Sequence, residues 1–359
     1  MSRRVDIAVV GAGMAGASLA AEIGGRASVL LLEREDQPGY HSTGRSAAFW
    51  SESYGGPAVQ PLTSASGPFL LDGGFLSNRG GLHIAEPDGQ GALDALAGEV
   101  GGAVELRPIG GEALAKLLPG LRPPFDRALL EPSCSDIDVA ALHAHYLKQA
   151  RRSGTEVLTR AELLGAERSG GRWHLTTSAG AVEADVLVNA AGAWADPIAR
   201  LAGIAPLGIR PFRRTIVQLR TDPAAPADLP LVIDALGRFY FKPEAGGRLW
   251  LSPHDETPCE PCDCAPEEID IARAIDRLET AMHWKVERVE RSWAGLRSFA
   301  PDRVPVYGFA PGRRDFFWFA GQGGFGIQTA PAAAGLAAAL LLGSEPALDP
   351  GPYSPVRFA

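Results

Sequence analysis

Residues 5–33 read VDIAVVGAGMAGASLAAEIGGRASVLLLE. An apolar run, a glycine turn, a small-residue helical stretch, a second apolar run and an acid follow one another without a break. Gly11, Gly13 and Gly16 fit the pattern G-x-G-x-x-G between a strand and a helix. In that pattern the first glycine permits the tight turn, the second lets the backbone approach a pyrophosphate, and the third lets helix and strand pack closely. The pyrophosphate then rests on the positive end of a helix starting near Gly13. Glu33 stands 22 residues after Gly11 at the end of the second strand, where a carboxylate can accept ribose hydroxyl hydrogen bonds. The segment predicts a βαβ start that binds a dinucleotide.

The bulk numbers agree with a soluble enzyme of two interleaved domains. A chain of 359 residues with 46% hydrophobic content outgrows one ordinary core. The formal charge of −8 argues against a general nucleic-acid or membrane-surface role. The apolar stretch Ala330–Leu342 is too short to span a bilayer. Arg3, Arg4 and the apolar run after them imitate a secretion signal, but Asp6 interrupts it and the glycine turn explains its small residues. A cytoplasmic location is expected. Of four cysteines, Cys259, Cys262 and Cys264 cluster in a Pro- and acid-rich stretch. With a distant fourth ligand they could hold zinc. A surface loop is the preferred reading, and no metal is expected.

Further along, apolar spacing at Val139, Leu142, Tyr146 and Leu147 predicts a helix over Ile137–Arg152, capped by Asp136. Ser178-Ala179-Gly180 marks a hairpin between Arg172–Thr177 and Ala181–Ala184. A buried strand over residues 185–189 then leads into Ala191, Gly192 and Trp194, as a return to the nucleotide-binding sheet. Strand-like runs at Arg214–Leu219, Arg238–Lys242 and Arg248–Ser252, and a helix over Pro266–His283, predict a separate mixed sheet. Phe316–Ala320 reads as a strand. The glycine-rich turn 321–328 follows, and then a second helix start. The fold class is α/β: a Rossmann-like domain from residues 1–75, 135–205 and 301–359, interleaved with a mixed-sheet substrate domain from 76–134 and 206–300.

Four segments carry a family likeness: Ser42-Thr43-Gly44-Arg45-Ser46-Ala47-Ala48, Val188–Trp194, Trp293-Ala294-Gly295-Leu296-Arg297-Ser298-Phe299 and the 321–328 turn. In that order, and with the ending Ser354-Pro355-Val356-Arg357-Phe358, the chain resembles the FAD-dependent D-amino-acid oxidases and dehydrogenases. It is most like their bacterial D-arginine dehydrogenase branch, over nearly the whole chain and least over 57–134. The resemblance implies non-covalent FAD. Its contacts would come from Gly11, Gly13, Met14, Ala15, Gly16, Glu33 and Arg34; from Ser42, Thr43, Arg45, Ser46, Ala47 and Ala48; from Val157, Ala191, Gly192 and Trp194; and from Gly323, Gly324, Phe325, Gly326, Ile327 and Gln328. The second glycine-rich helix start suits a flavin, because a helix N-terminus stabilises negative charge on a reduced ring.

An amino-acid substrate needs its carboxylate fixed, and the arginine fork is suited to that. By the resemblance Arg297 is the clamp, Tyr240 its partner and Arg214 an additional substrate-side arginine. Gly324 and Gln328 offer backbone near the amine, and Tyr54 matches a mobile active-site tyrosine. Each has a plainer reading too: Arg297 in a salt bridge, Tyr240 in the core, Gln328 as a helix cap. His143 and His145 face different ways on their helix and form no metal pair.

The expected reaction is oxidation of a D-amino acid to the imino acid by hydride transfer to flavin N5, then hydrolysis to a 2-oxo acid and ammonia. Dioxygen or a quinone would reoxidise the flavin. The D-arginine branch carries a histidine where this chain has Phe49, and an acid for the guanidinium near Gly81. Both departures, with Trp50, predict an apolar pocket and neutral substrates. The alternative is a secondary amine of the glycine, sarcosine or cyclic imino-acid type, or a 2-hydroxy acid. A non-catalytic flavoprotein and a zinc-binding module are the readings from other classes.

Overall fold

The computed structural model describes residues 3–359. Strand β1 (Arg3–Val10), helix α1 (Met14–Ile23) and strand β2 (Val29–Leu32) realise the opening segment. β1 pairs in parallel with β2 on one side and with strand Gly180–Asn189 on the other. Glu156–Leu158 continues the parallel order beyond β2, and Phe316–Ala320 continues it beyond Gly180–Asn189. Such strands are buried on both faces, which explains their unbroken apolar runs. α1 and the helices Val139–Arg152 and Ala330–Leu342 cover one face. Helix Ala195–Leu201 and the antiparallel strands Leu163–Ser169 and Arg172–Thr177 cover the other.

Two local expectations are corrected. The hairpin turn leads into one continuous strand, Gly180–Asn189, rather than two short ones. The helix over 139–152 is capped by Asp138, whose Oδ1 accepts from Ala141 N at 2.9 Å. Asp136 instead lies in strand Ser135–Ile137 and receives Arg79 at 2.5 Å and Lys242 Nζ at 2.7 Å. Asp136 is held by two cations, so its carboxylate is not available to a helix end.

The second sheet has ten strands. Gly81–Ala85, Arg107–Gly110 and Arg127–Glu131 join the strands of residues 210–299 in it. One of its faces packs on helix Glu268–Ala281 with Phe241 and Trp284. The other carries Ile216, Ile233 and Tyr240 toward the glycine-rich loops. Arg210–Asp222 pairs antiparallel with Lys285–Phe299, with Arg214 opposite Gly295 and Phe212 opposite Arg297. Strand alternation therefore puts Arg214 and Arg297 on one face as diagonal neighbours. Arg213, on the opposite face, is taken by Glu267 and by Asp270 at 2.9 Å.

A small third sheet, Phe49–Trp50, Ser135–Ile137 and Leu76–Asn78, bridges the two. Here a pocket assignment fails. Trp50 turns into the core and donates Nε1–H to Thr63 O at 3.0 Å. Phe49, its neighbour on the strand, faces the opposite way and meets Tyr54 and Tyr240 edge-on. No helix among the described residues is long and apolar enough to cross a membrane.

Candidate active site

A cavity of about 240 Å³ runs between the two large sheets. At one end lie Glu33 and Arg34; Gly11–Ala15, loop Gly39–Ser46 and Ala190–Trp194 form its length; Arg214, Arg297 and Gly323–Ile327 close the other end. The glycine turn is forced by contact. Gly11 has φ +100° and a Cβ there would stand 2.5 Å from Ala190 O; one on Gly16 would stand 1.9 Å from Gly11 O. Met14 N donates to Thr43 Oγ1 at 2.9 Å, joining the 42–48 loop to the helix start. Glu33 accepts from Ala12 N and from Glu35 N, both at 3.0 Å. The acid thus braces the glycine turn as well as facing the cavity. Arg34 stacks 4.5 Å above Trp194. A glycine cradle on a helix start, an acid at the end of β2 and a long cavity ending on cations are a donor set that fits FAD.

Not every residue assigned to the cofactor lines this cavity. Gly16 serves packing. Val157, paired with Leu31 in the sheet, lies against the core instead. Phe325 packs edge-on against Tyr54 and Phe299. Ala47, Ala48 and Gln328 line a second, smaller cavity. Arg45 does line the main cavity, but its guanidinium is committed to Cys264 O at 3.1 Å, Ala294 O at 3.2 Å and the Asp263 carboxylate. Tyr40 and His41, in a small-residue loop that can run close to a ligand, line the main cavity, as do Ala161–Leu163, which no periodic signal in the sequence marks.

The smaller cavity, about 20 Å³, is bounded by Ser46, Phe49, Tyr54, Arg297, Gly324 and Ile327 with Ala47, Ala48 and Gln328. Arg297 donates from Nη1 to Tyr54 Oη at 3.1 Å and from Nη2 toward Tyr240 Oη at 3.5 Å. Among the described residues no Asp or Glu is paired with it. Arg214 is 2% exposed. It donates to Asp255 O at 2.7 Å and to Glu256 at 3.0 Å, while its Nη1 has no hydrogen-bond partner among the described residues. Burial, with Arg297 beside it, pulls its pKa below the usual arginine value. Burial raises the Tyr54 phenol, but Arg297 and Arg214 outweigh that and leave it below the ordinary tyrosine range. An anion entering here meets two guanidiniums whose charge the protein only partly balances.

Gln328 does not reach the substrate with its side chain. It is 3% exposed, donates to Tyr54 O and Thr63 Oγ1, both at 3.0 Å, and accepts from Ser51 N at 3.3 Å. It therefore holds segment 51–54 in place. A residue that the sequence did not single out completes the group: His254, whose Nε2 lies 3.2 Å from Tyr54 Oη. Their separation along the chain hides the contact.

The strand partner of Gly81 is Glu131, which is fully buried and already accepts from Ser51 Oγ at 2.8 Å, Ser53 Oγ at 2.5 Å and Glu52 N at 2.7 Å. Glu86 is paired with Arg238 at 2.8 Å. His143 donates from Nε2 to Ala12 O at 2.9 Å, whereas His145 sits edge-on to Phe75. Cys259 and Cys262 bring their sulfurs to 3.5 Å, but no group of three potential metal ligands occurs among the described residues.

A two-sheet fold around a dinucleotide cavity that ends on paired arginines defines a flavin-dependent oxidoreductase. The model of the DAO family, FAD dependent oxidoreductase, matches residues 6–340, and the chain belongs to that family. It is similar to a glycine oxidase of Pseudomonas aeruginosa, 28% identical with 99% of each chain covered. It is also similar to the glycine oxidase of Geobacillus kaustophilus, 27% identical over 72% of this chain and 64% of that one. Among solved structures, the G. kaustophilus glycine oxidase superposes with a TM-score of 0.86 at 22% identity, covering 98% of both chains. The L-proline dehydrogenase from P. horikoshii gives 0.87 at 21% identity, covering 100% of this chain and 98% of that one. These relatives support the family and not its D-arginine branch in particular.

Proposed function

We propose that the protein oxidises the carbon–nitrogen bond of a small, neutral amino acid, glycine or a secondary amine of the sarcosine or cyclic imino-acid type, to the imine. The observation that carries this reading is Arg297: a guanidinium facing the cavity, hydrogen-bonded to two phenols and, among the described residues, paired with no carboxylate. A substrate carboxylate supplies the missing charge, with Tyr240 Oη and the unpartnered Nη1 of Arg214 as further donors. FAD, when bound, supplies the two-electron acceptor. The chain's part is to fix the carboxylate so that the α-carbon is held in one orientation, which accounts for most of the rate in such a design. Phe49, Tyr54 and Tyr240 wall the site and exclude water until the imine leaves to be hydrolysed.

The acids near Gly81 are already engaged by Arg238, serines and backbone, so a guanidinium would lose its water without gaining a partner. A neutral D-amino acid remains the second reading, supported by the apolar wall at Phe49. Anaerobic mixing with glycine, sarcosine, proline, D-alanine, D-leucine, D-arginine and lactate separates the classes. Glycine, sarcosine or proline should bleach the flavin fastest, at least tenfold faster than D-arginine. Fastest reduction by D-arginine overturns the substrate class, and reduction by lactate alone overturns amine oxidation.

A further inference from the structure

The hydrogen bonds around Tyr54 fix where its single hydroxyl hydrogen lies. Gly237 O can only accept, so His254 Nδ1, 2.8 Å away, carries its hydrogen and Nε2 keeps a lone pair. On the opposite side of Tyr54 Oη, 3.1 Å away, Arg297 Nη1 can only donate. The phenolic hydrogen is therefore committed to His254 Nε2 at 3.2 Å. Tyr54 lines the smaller cavity, where its oxygen can accept one further hydrogen bond. Burial and the nearby Arg214 and Arg297 hold the imidazole pKa down at about 2, so it is neutral at any working pH and the direction of this bond does not reverse. The ring is deliberately aimed: His254 has φ +53°, which non-glycine residues seldom adopt, and Tyr240 stands edge-on to it at 5.5 Å.

We propose that His254 is a positioning residue that makes Tyr54 Oη a hydrogen-bond acceptor toward the substrate nitrogen, so that the site selects amines still bearing an N–H in their neutral form. This rests on the amine-oxidation reading above. A neutral amine must keep its nitrogen lone pair free to form the C=N bond. An acceptor at Tyr54 leaves that pair free, whereas a hydroxyl donor would bind it. Glycine-type and N-methyl amines offer an N–H to Tyr54. A tertiary amine offers only alkyl groups and leaves the phenol lone pair unmatched.

The test uses FAD-loaded wild type, His254→Phe and His254→Gln. Anaerobic flavin reduction is measured with glycine, sarcosine and N,N-dimethylglycine, and calorimetric binding with methoxyacetate and butanoate. Methoxyacetate places an acceptor atom where the amine nitrogen sits; butanoate places a methylene there. Wild type should reduce with the better of glycine and sarcosine at least a hundredfold faster than with the tertiary amine, and bind methoxyacetate no tighter than butanoate. In His254→Phe the freed hydroxyl can turn and donate, so methoxyacetate should gain at least tenfold over butanoate and discrimination against the tertiary amine should fall at least tenfold. His254→Gln, whose amide oxygen can accept from Tyr54, should restore the wild-type pattern. Amine reduction without these differences between ligands overturns the role of His254. Failure of these amines and of proline, D-alanine and D-leucine alike to bleach the flavin overturns the amine-oxidation reading, and the inference with it.

Discussion

Gly324 and Arg297 are in contact where the two cavities meet: a methyl group at position 324 would stand 2.8 Å from Arg297 Nη1 and 3.4 Å from Tyr54 Oη. The atom in its way is the tip of a flexible side chain, so alanine would displace the guanidinium rather than strain the backbone. Gly324→Ala is expected to keep its melting temperature and its FAD while kcat/KM falls about a hundredfold, the cost of misplacing a reacting group by roughly 1 Å. Steady-state kinetics beside a thermal melt check this; equal activity would show that the guanidinium is not held where the structure places it.

Glu33 holds the Ala12 N–H of the glycine turn and the Glu35 N–H beyond its own strand, as well as facing the cofactor cavity. Glu33→Ala should weaken FAD binding by about 1.5–3 kcal/mol, the scale of one charge-assisted hydrogen bond. Fluorescence titration of the apoprotein measures it. Acid precipitation of wild type should release the flavin, because the 321–328 turn contains no cysteine.

The His254 imidazole is held near pKa 2, below its ordinary 6.5. The sign follows from linkage. Between those values the unfolded chain binds a proton that the folded chain refuses, so stability is complete above pH 6.5 and is lost as pH falls below it. One such proton contributes a slope of about 1.4 kcal/mol per pH unit. His143, lowered by burial, adds in the same direction. Urea midpoints at several pH values from 7 to 5 should fall less steeply for His254→Gln than for wild type; parallel slopes would contradict the buried neutral imidazole.

What was legible in the sequence was what repeats locally. The apolar runs of residues 5–10 and 29–32 and the glycines between them specify a strand–turn–helix unit by themselves. Arg297 and the glycine turn near Gly324 were legible through their resemblance to known motifs, and the structure brings them together with Tyr54, Tyr240 and Arg214. The side-chain directions were not legible. Arg213 and Arg214 differ by one residue and thus by sheet face, which only the pairing with residues 295–297 settles. Trp50 and Phe49 diverge for the same reason. His254, Gln328 and Glu131 act through contacts between distant segments, and no spacing along the chain announces them.

The central claim is that Arg297 receives the substrate carboxylate. It is tested most directly by the anaerobic reduction rate of Arg297→Met, loaded with FAD, against the best amine of the wild-type panel. Loss of one partner of such a charge pair costs about 2–5 kcal/mol, so kcat/KM for flavin reduction should fall by roughly 30- to 5,000-fold with the flavin spectrum intact. A variant that reduces its flavin at the wild-type rate would contradict the account and would move the clamp to Arg214.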